Sequence, residues 1–538
     1  MARQFSLSVS DAFAQAMRTW ESGNATEARR LARLIADANP GFGGAHYLLG
    51  AIALSQGQAR KASEHLSRAV AADPNQSVPR LALGRALEAQ NSLNAAIVQY
   101  RAVLITEPDH AEAHARLAAL LARTGKASQA LDHGRHAIAV NPNHAEALCA
   151  LGALLHQQGE DREARGYLER ALALRPDWGV ALHNYGLVLR RLGEAERAAA
   201  LLSGAVDLRR DHAATRANLA GALREMGRLD EARIQAEQAA KLAPRDAVGW
   251  MELGLIRNAQ GMPEGAAAAF ERAVTAEPDS VDAHWCLAEA RRLLGETAKA
   301  TAHYRRCLEL DPDDTHGAAL GLALTGGAPV PQRAPDAYVR QLFDDYAETF
   351  DSALVNRLGY RAPALLAEAL ERDLVRKTGL AVLDAGCGTG LAAPVLRPLA
   401  GRLDGIDLSP AMVDKARARG LYDDLAVGEL GAALTTRPAT YDLIVAADVL
   451  VYFGDLEPVL HAGFAALRPG GIFAFTVERA EDCSSYLLGA KNRYAHAEDY
   501  VAAKAQVAGF ALARMDHAVT RREAEAEVPG LVVILRRP

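Results

Sequence analysis

Small and apolar positions recur between residues 9 and 314 with a period of 34, the mark of a stacked repeat rather than of one long helix. Proline keeps the period at Pro40, Pro74, Pro108, Pro142, Pro176, Pro244, Pro278 and Pro312, with Arg210 in the skipped place. Alanine holds one register through nine successive units, at Ala28, Ala62, Ala96, Ala130, Ala164, Ala198, Ala232, Ala266 and Ala300. Five residues before each alanine stands Gly23, Gly57, Gly125, Gly159, Gly193, Gly227, Gly261 or Gly295, with Asn91 in the third unit. Glycine and asparagine tolerate the left-handed conformation that ends a helix. Proline has no N–H to give a helix and biases the residue before it away from helical angles. Each unit therefore predicts a helix, a glycine turn, a second helix and a proline turn.

In the first helix of most units a Leu-Gly or Leu-Ala pair recurs, as at Leu49-Gly50, Leu83-Gly84, Leu151-Gly152, Leu253-Gly254 and Leu287-Ala288. A small residue there lets the neighbouring helix approach closely. On these positions residues 9 to 314 resemble the tetratricopeptide repeat family, and the stretch after Pro312 reads as the capping helix such a solenoid needs. The resemblance implies a concave groove that takes a protein or peptide partner, and leaves assembly into homo-oligomers open as a second use. In relatives that grip peptide backbone asparagines line the groove, and Asn184 and Asn218 occupy equivalent places one repeat apart. His46, His114 and His284 fall at a bulky first-helix position and read as packing residues, not metal ligands.

The pattern changes at residues 325 to 335, TGGAPVPQRAP, whose glycines and prolines break any helix and predict a short, semi-stiff linker. Beyond it β-branched runs alternate with helical patterns: AVLD, RLDGIDL, YDLIVAA, GIFAFTVE and LVVILRR. Strand alternating with helix over this length predicts a largely parallel sheet covered on both faces. The expected division is a repeat array with its cap over 1–324, the linker over 325–335 and an α/β domain over 336–538.

The first strand runs into a glycine loop, Asp384-Ala-Gly386-Cys387-Gly388-Thr-Gly390, at the strand-to-helix turn where a bound group meets backbone. A dinucleotide fingerprint would need glycine at 391, and the chain has Leu391. The D-x-G-x-G-x-G spacing, with the strands that follow, resembles the class I S-adenosylmethionine-dependent methyltransferases, a Rossmann-like fold with a mostly parallel seven-stranded sheet. The resemblance implies S-adenosyl-L-methionine as cofactor. It assigns Gly386, Gly388 and Gly390 to close backbone approach beside the methionine part and Asp384 to its ammonium group. It assigns Asp407, at the end of the second strand, to the ribose hydroxyls. Met412 would lie against adenine, Glu429 with Leu430 beside it would receive the adenine amino group, and Asp448 would end the fourth strand beneath the methyl. Cys387 fills a variable place and carries no role.

Charge narrows the partners. Lys and Arg number 60 against 66 Asp and Glu, a net charge of −6 with no block of like charge, which argues against nucleic acid. Five cysteines without a C-x-x-C pair argue against a disulfide framework and suit a reducing cytoplasm. The opening residues lack a basic and then apolar leader, and no run of about 18 apolar residues follows, so no membrane partner is expected.

The acceptor is less determined. After the fourth strand stands Ala447-Asp448-Val449-Leu450, not the Asn/Asp-Pro-Pro-Tyr turn of enzymes that methylate planar nitrogens. The stretch from Tyr338 to Asp351 predicts a helix with an aromatic stripe, and in ubiquinone-type small-molecule methyltransferases a similar segment is a lid, which implies that role for Tyr346. The segment after the fifth strand should border the acceptor. There His496 would serve as base, Arg493 would hold a carboxylate, and Tyr494 lies between them. The favoured expectation is methyl transfer to a protein or peptide delivered by the repeats. The alternatives are a small-molecule O- or N-methyltransferase whose repeats serve assembly, and a non-catalytic binding protein.

Overall fold

Among the described residues the repeat region is nine helix pairs, each a helix of 13 residues followed by one of 14, from Val9–Glu21 with Ala25–Ala38 to Val281–Leu293 with Thr297–Leu310. The computed structural model describes residues 8–347, 350–352, 360–374, 378–481, 483–523 and 526–538. The opening residues read above for a leader lie outside this set, as do Glu348 and Thr349 of the aromatic stretch. The chain divides into two compact units, Met1–Pro244 and Arg245–Pro538.

The repeat period has a steric cause that the residues display one by one. All nine register alanines have no exposed surface. The eight turn glycines have φ between +70° and +85°, and Asn91 has φ +57°. A Cβ on Gly50, Gly84, Gly152, Gly186 or Gly254 would run into Leu66, Tyr100, Leu168, Leu202 or Phe270, always the side chain sixteen residues on, in the partner helix. The small residue is thus the slot for one large side chain of its own pair, the interdigitation that close packing demands. His46, His114 and His284 are buried as expected, and they are also hydrogen-bonded. Each sets Nε2 on a proline carbonyl, Pro40 at 3.2 Å, Pro108 at 2.8 Å and Pro278 at 3.0 Å, and faces Nδ1 of His65, His133 or His303 with its own Nδ1.

In the Met1–Pro244 unit the two asparagines expected to grip a peptide are engaged inside the array. Asn184 Nδ2 points at Cys149 Sγ at 3.6 Å. Asn218 donates to the Ala214 carbonyl at 2.9 Å and accepts from Arg190 at 3.4 Å. A grip on backbone would first have to break these bonds.

The Arg245–Pro538 unit contains the last two helix pairs, the cap and the sheet domain. The cap is the helix Ala318–Leu324, begun by left-handed Gly317 and held by Asp314, whose carboxylate accepts from the Ala318 and Ala319 amides at 2.5 and 3.0 Å. Its Gly321 is the slot for Tyr304 of the last repeat.

Among the described residues nine strands follow: β1 Leu380–Ala385, β2 Ala400–Asp407, β3 Asp424–Val427, β4 Tyr441–Ala446, β5 Leu467–Arg479, β6 Tyr486–Leu488, β7 Tyr494–His496, β8 Ala511–Glu523 and β9 Ala526–Arg536. β3, β2, β1, β4 and β5 are parallel neighbours in that order, and β9 then β8 extend the sheet by antiparallel pairing beside β5. That makes the expected mostly parallel layer of seven. The hairpin of β6 and β7, in the segment expected to border the acceptor, adds itself to the end of β5 at Glu478 and Arg479. One face of the sheet buries Leu430, Leu460, Val501 and Phe473, the other Leu366, Leu370, Leu396 and Val445, so helices cover both. Chain order runs outward from β1 to one edge and from β4 to the other, which opens a crevice beyond the carboxyl ends of these two strands.

The segment expected as a short, semi-stiff linker is bonded along its length to the sheet domain. Gln332 O accepts from the Gly454 and Asp455 amides, both at 2.8 Å, and the Ala334 amide donates to Tyr452 O at 2.8 Å. Tyr494 Oη donates to Pro331 O at 2.8 Å. Leu320 of the cap, Ala334 and Tyr494 share one buried cluster. With its backbone polar groups paired to the sheet domain, the proline-rich segment is a piece of that domain's wall.

Candidate functional site

The crevice holds a cavity whose lining comes from the turn after each of the first four strands: Gly386 to Thr389 after β1, Leu408 after β2, Gly428 to Leu430 after β3 and Ala447 to Val449 after β4. Phe343, Phe350, Tyr360, Tyr452 and the linker's Arg333 and Ala334 close it. Phe343 meets Phe350 and Tyr452 edge to face, with centroids 5.8 and 5.6 Å apart.

The glycine loop is tied to the end of β2. The Gly386 and Cys387 amides donate to Ile406 O at 2.8 and 2.9 Å, and the Gly388 amide donates to Asp407 Oδ2 at 2.8 Å. Asp407 Oδ1 takes the Ser409 amide at 2.9 Å. The three glycines differ in what surrounds them. Gly388 has open space where a Cβ would stand, its nearest neighbour being Phe350 at 3.8 Å. A Cβ on Gly386 would strike Val449, and one on Gly390 would press on Arg419 and Tyr422 at 3.0 and 3.1 Å. Gly390 stands between Thr389 and Leu391 of the cavity lining, and its lack of a side chain also serves this packing.

Two acids face the cavity without a cation of their own among the described residues. Asp384 is 1% exposed and accepts from Tyr422 Oη at 2.6 Å; burial, against that bond and reinforced by Asp407, pushes its carboxyl up to about 7. Burial likewise raises Asp407, against the amides of Ser409 and Gly388 that lower it. A buried carboxyl in this state gains most from a positively charged ligand.

Other positions move away from their expected places. Met412 is fully buried beneath its helix and does not line the cavity, where Leu408 stands instead. Glu429 lines it, yet its carboxylate caps the following helix through the Gly431 and Ala432 amides at 2.9 and 2.7 Å and pairs with Arg333 at 2.9 Å. Leu430 lines it too. Asp448 adopts left-handed φ +62° and is gripped at both oxygens by Arg521, at 2.8 and 2.7 Å. Arg521 is 1% exposed and also binds Glu478, which in turn sits 3.0 Å from Arg493 Nε. Arg521 was missed in the sequence because it lies on β8, whose alternation is broken by polar residues and two register shifts.

Of the four acceptor-side residues, Arg493 lines the cavity and three do not. His496 is fully buried, with Nε2 2.8 and 3.2 Å from the Phe453 and Gly454 carbonyls, and burial pushes its pKa down to about 4. It donates a proton into the fold and has no access to a substrate, which removes it as base. Tyr494 anchors the linker, as described. Tyr346 is 52% exposed and points away from the cavity, while Phe343 and Phe350 of the same stretch cover it. That stretch is latched by Asp344, which accepts from Ser409 Oγ at 2.5 Å, and by Asp351, which binds Thr389 and Arg419.

A profile described as a methyltransferase domain matches residues 383–473, and tetratricopeptide repeat profiles match 19–87, 81–139, 145–178, 189–251 and 251–315. The chain is similar to a ubiquinone biosynthesis O-methyltransferase of Methylocella silvestris, 38% identical over 106 residues that make up 19% of this chain and 41% of that protein. It is 35% identical to human methyltransferase-like protein 27 over 25% of this chain and 55% of the other. With malonyl-[acyl-carrier protein] O-methyltransferase of Yersinia pestis it shares 32% identity over 25% of this chain and 48% of the other. The chain spans about half the length of the curated relatives it matches. No described helix is long and apolar enough to cross a membrane.

Proposed function

Because the chain joins tetratricopeptide repeats to a methyltransferase domain, we propose that it transfers a methyl group from S-adenosylmethionine to a protein or peptide acceptor recruited by the repeats. The observation that carries the cofactor reading is Asp384: a buried carboxyl at the switch point of the sheet, with no cation of its own among the described residues, fits the cofactor's positive charge. Asp407 retains lone pairs beyond its two amide bonds and suits the ribose hydroxyls. Gly388 is the loop position with room beside it. Leu408 and Leu430 are apolar walls for a flat base.

Bound there, S-adenosylmethionine supplies a methyl on a sulfonium centre, open to in-line displacement by a nucleophile. The chain's part is to align the nucleophile and to keep water out. Phe343, Phe350, Tyr360 and Tyr452 exclude water, and Tyr360 is held by donating to Ala447 O at 3.2 Å. Arg493 and the Arg521–Asp448 pair give the acceptor side its polar floor.

The protein acceptor is favoured because a second binding site raises the acceptor's effective concentration at the first. A small-molecule acceptor is the second reading, favoured by the aromatic walls of the cavity, which suit an apolar or aromatic group. Five free cysteines fit work in a reducing compartment such as the cytoplasm. The test is to isolate the protein from cells fed a labelled methyl donor. Label on a co-purified polypeptide supports the first reading, label in the small-molecule fraction supports the second, and failure of the purified chain to bind S-adenosylmethionine defeats both.

A further inference from the structure

Arg333 belongs to the linker, before the first residue of the expected methyltransferase domain, and yet it lines the cavity. Its Nη1 lies 2.9 Å from Glu429 Oε1, and its Nη2 donates to Asp336 at 3.0 Å, a bond that orients the guanidinium. Glu429 in turn spends both oxygens on the first amides of the helix Leu430–Thr435. One guanidinium thus holds a carboxylate that starts a helix on the cavity's edge. The segment that presents Arg333 is fixed on both sides, by Gln332 O to the Gly454 and Asp455 amides and by the Ala334 amide to Tyr452 O. Tyr494 adds a bond to Pro331 O. Arg333 pairs with Phe453 as a strand-like bridge, so its backbone direction, and hence where its side chain emerges, follows the sheet domain.

We propose that residues 331 to 334 form an integral part of the cofactor cavity's wall and that Arg333 is a positioning residue for the cofactor, acting through Glu429. The proposal rests on the reading of the cavity as an S-adenosylmethionine site. A freely rotating Glu429 would present its oxygens to the cavity in several rotamers, and each would have to be ordered on binding at a cost in affinity. Capped by two amides and clamped by a planar guanidinium, it meets the ligand in one. The linker therefore does more than connect: the end of the repeat array and the cofactor cavity share a wall.

The experiment measures S-adenosylhomocysteine binding by calorimetry on the full chain and on its Arg333→Ala, Arg333→Lys and Glu429→Gln variants and the two doubles Arg333→Ala/Glu429→Gln and Arg333→Lys/Glu429→Gln. Arg333→Ala should raise Kd roughly fivefold, a modest loss for a pair that is partly solvated, and Arg333→Lys should fall between it and the wild type. In the Glu429→Gln background the arginine change should add less than about twofold, because the two residues act as one. A merely structural arginine would lower the unfolding midpoint without that interaction term, and losses that multiply in the double variant overturn the proposal. So does unchanged affinity of Arg333→Ala. Should Arg333→Ala fail to fold, Arg333→Lys alone in both backgrounds decides on the same criterion. A wild-type chain that binds no S-adenosylhomocysteine defeats the function and this inference together, whereas the other adverse outcomes defeat this inference alone.

Discussion

Tyr422 donates its phenolic hydrogen to Asp384 across 2.6 Å, the bond that most opposes the upward push of burial on that carboxyl. Asp384 nevertheless titrates near 7, so in the free protein it is part protonated at neutral pH. Only the ionised form attracts a cationic ligand. Affinity for S-adenosylmethionine should therefore fall as the pH drops through about 7, by up to tenfold per unit. Titration calorimetry from pH 8 to pH 6 checks this, and Asp384→Asn should flatten the profile at the lower affinity.

Arg521 compensates two carboxylates at once, Asp448 and Glu478, from a position with almost no solvent. Arg521→Met leaves Asp448 without the guanidinium that holds it, while Glu478 keeps Arg493 at 3.0 Å. The cost should be about 3 kcal/mol or somewhat more, since breaking a buried pair exposes an uncompensated charge. Urea unfolding would show the shift, and adding Asp448→Asn with Glu478→Gln should recover most of it.

His496 sets a second dependence on pH, in stability and at lower pH. Its folded pKa lies near 4, below the ordinary 6.5, so the unfolded chain binds a proton that the folded one refuses. Stability contributed by neutral His496 is complete above about 6.5 and is lost as the pH falls towards 4, by up to about 3 kcal/mol. Compared with wild type, His496→Gln should be the less stable chain at pH 7.5, with the gap narrowing at pH 5. Turnover near pH 6.5 should not acquire a new inflection from this residue.

Gly254 illustrates the slot rule of the repeats. Gly254→Ala gains about 1 kcal/mol of helix propensity but drives a methyl into Phe270, and overpacking of this kind costs about 1 to 3 kcal/mol. The net should be destabilising. Phe270→Ala should lower the unfolding midpoint less in the Gly254→Ala background than in the wild type, because the added methyl takes part of the space that the ring vacates.

The repeats were readable because their chemistry is periodic. Ala28 and its eight equivalents are buried by position, and glycine or asparagine at each turn is forced by a positive φ. The glycine loop, Asp384 and Asp407 were readable because a strand end and a tight turn need those residue types near each other in sequence. The acceptor side was not. His496 looked like a base for its intrinsic pKa, yet whether an imidazole faces a cavity or two carbonyls depends on Phe453 and Gly454, more than forty residues away. Arg521 is separated from Asp448 by 73 residues and the linker from Glu429 by nearly a hundred, and no local pattern records such pairings. Tyr346 was favoured over Phe343 and Phe350 within one aromatic stripe, where rotation of a helix decides which ring turns inward.

The placing of each glycine slot has an evolutionary consequence. Gly50 with Leu66, Gly84 with Tyr100, Gly152 with Leu168, Gly186 with Leu202 and Gly254 with Phe270 are all matched inside a single helix pair. A whole pair duplicated or excised in frame carries this match with it as a block of 34, whereas Gly221, which faces Arg190 of the preceding pair, is matched across pairs. Tyr304 breaks this autonomy, for its slot is Gly321 in the cap and not a residue of its own pair. An internal block copied into the final place would leave that slot empty. Descent can thus vary how many repeats there are while the one beside the sheet domain stays the same.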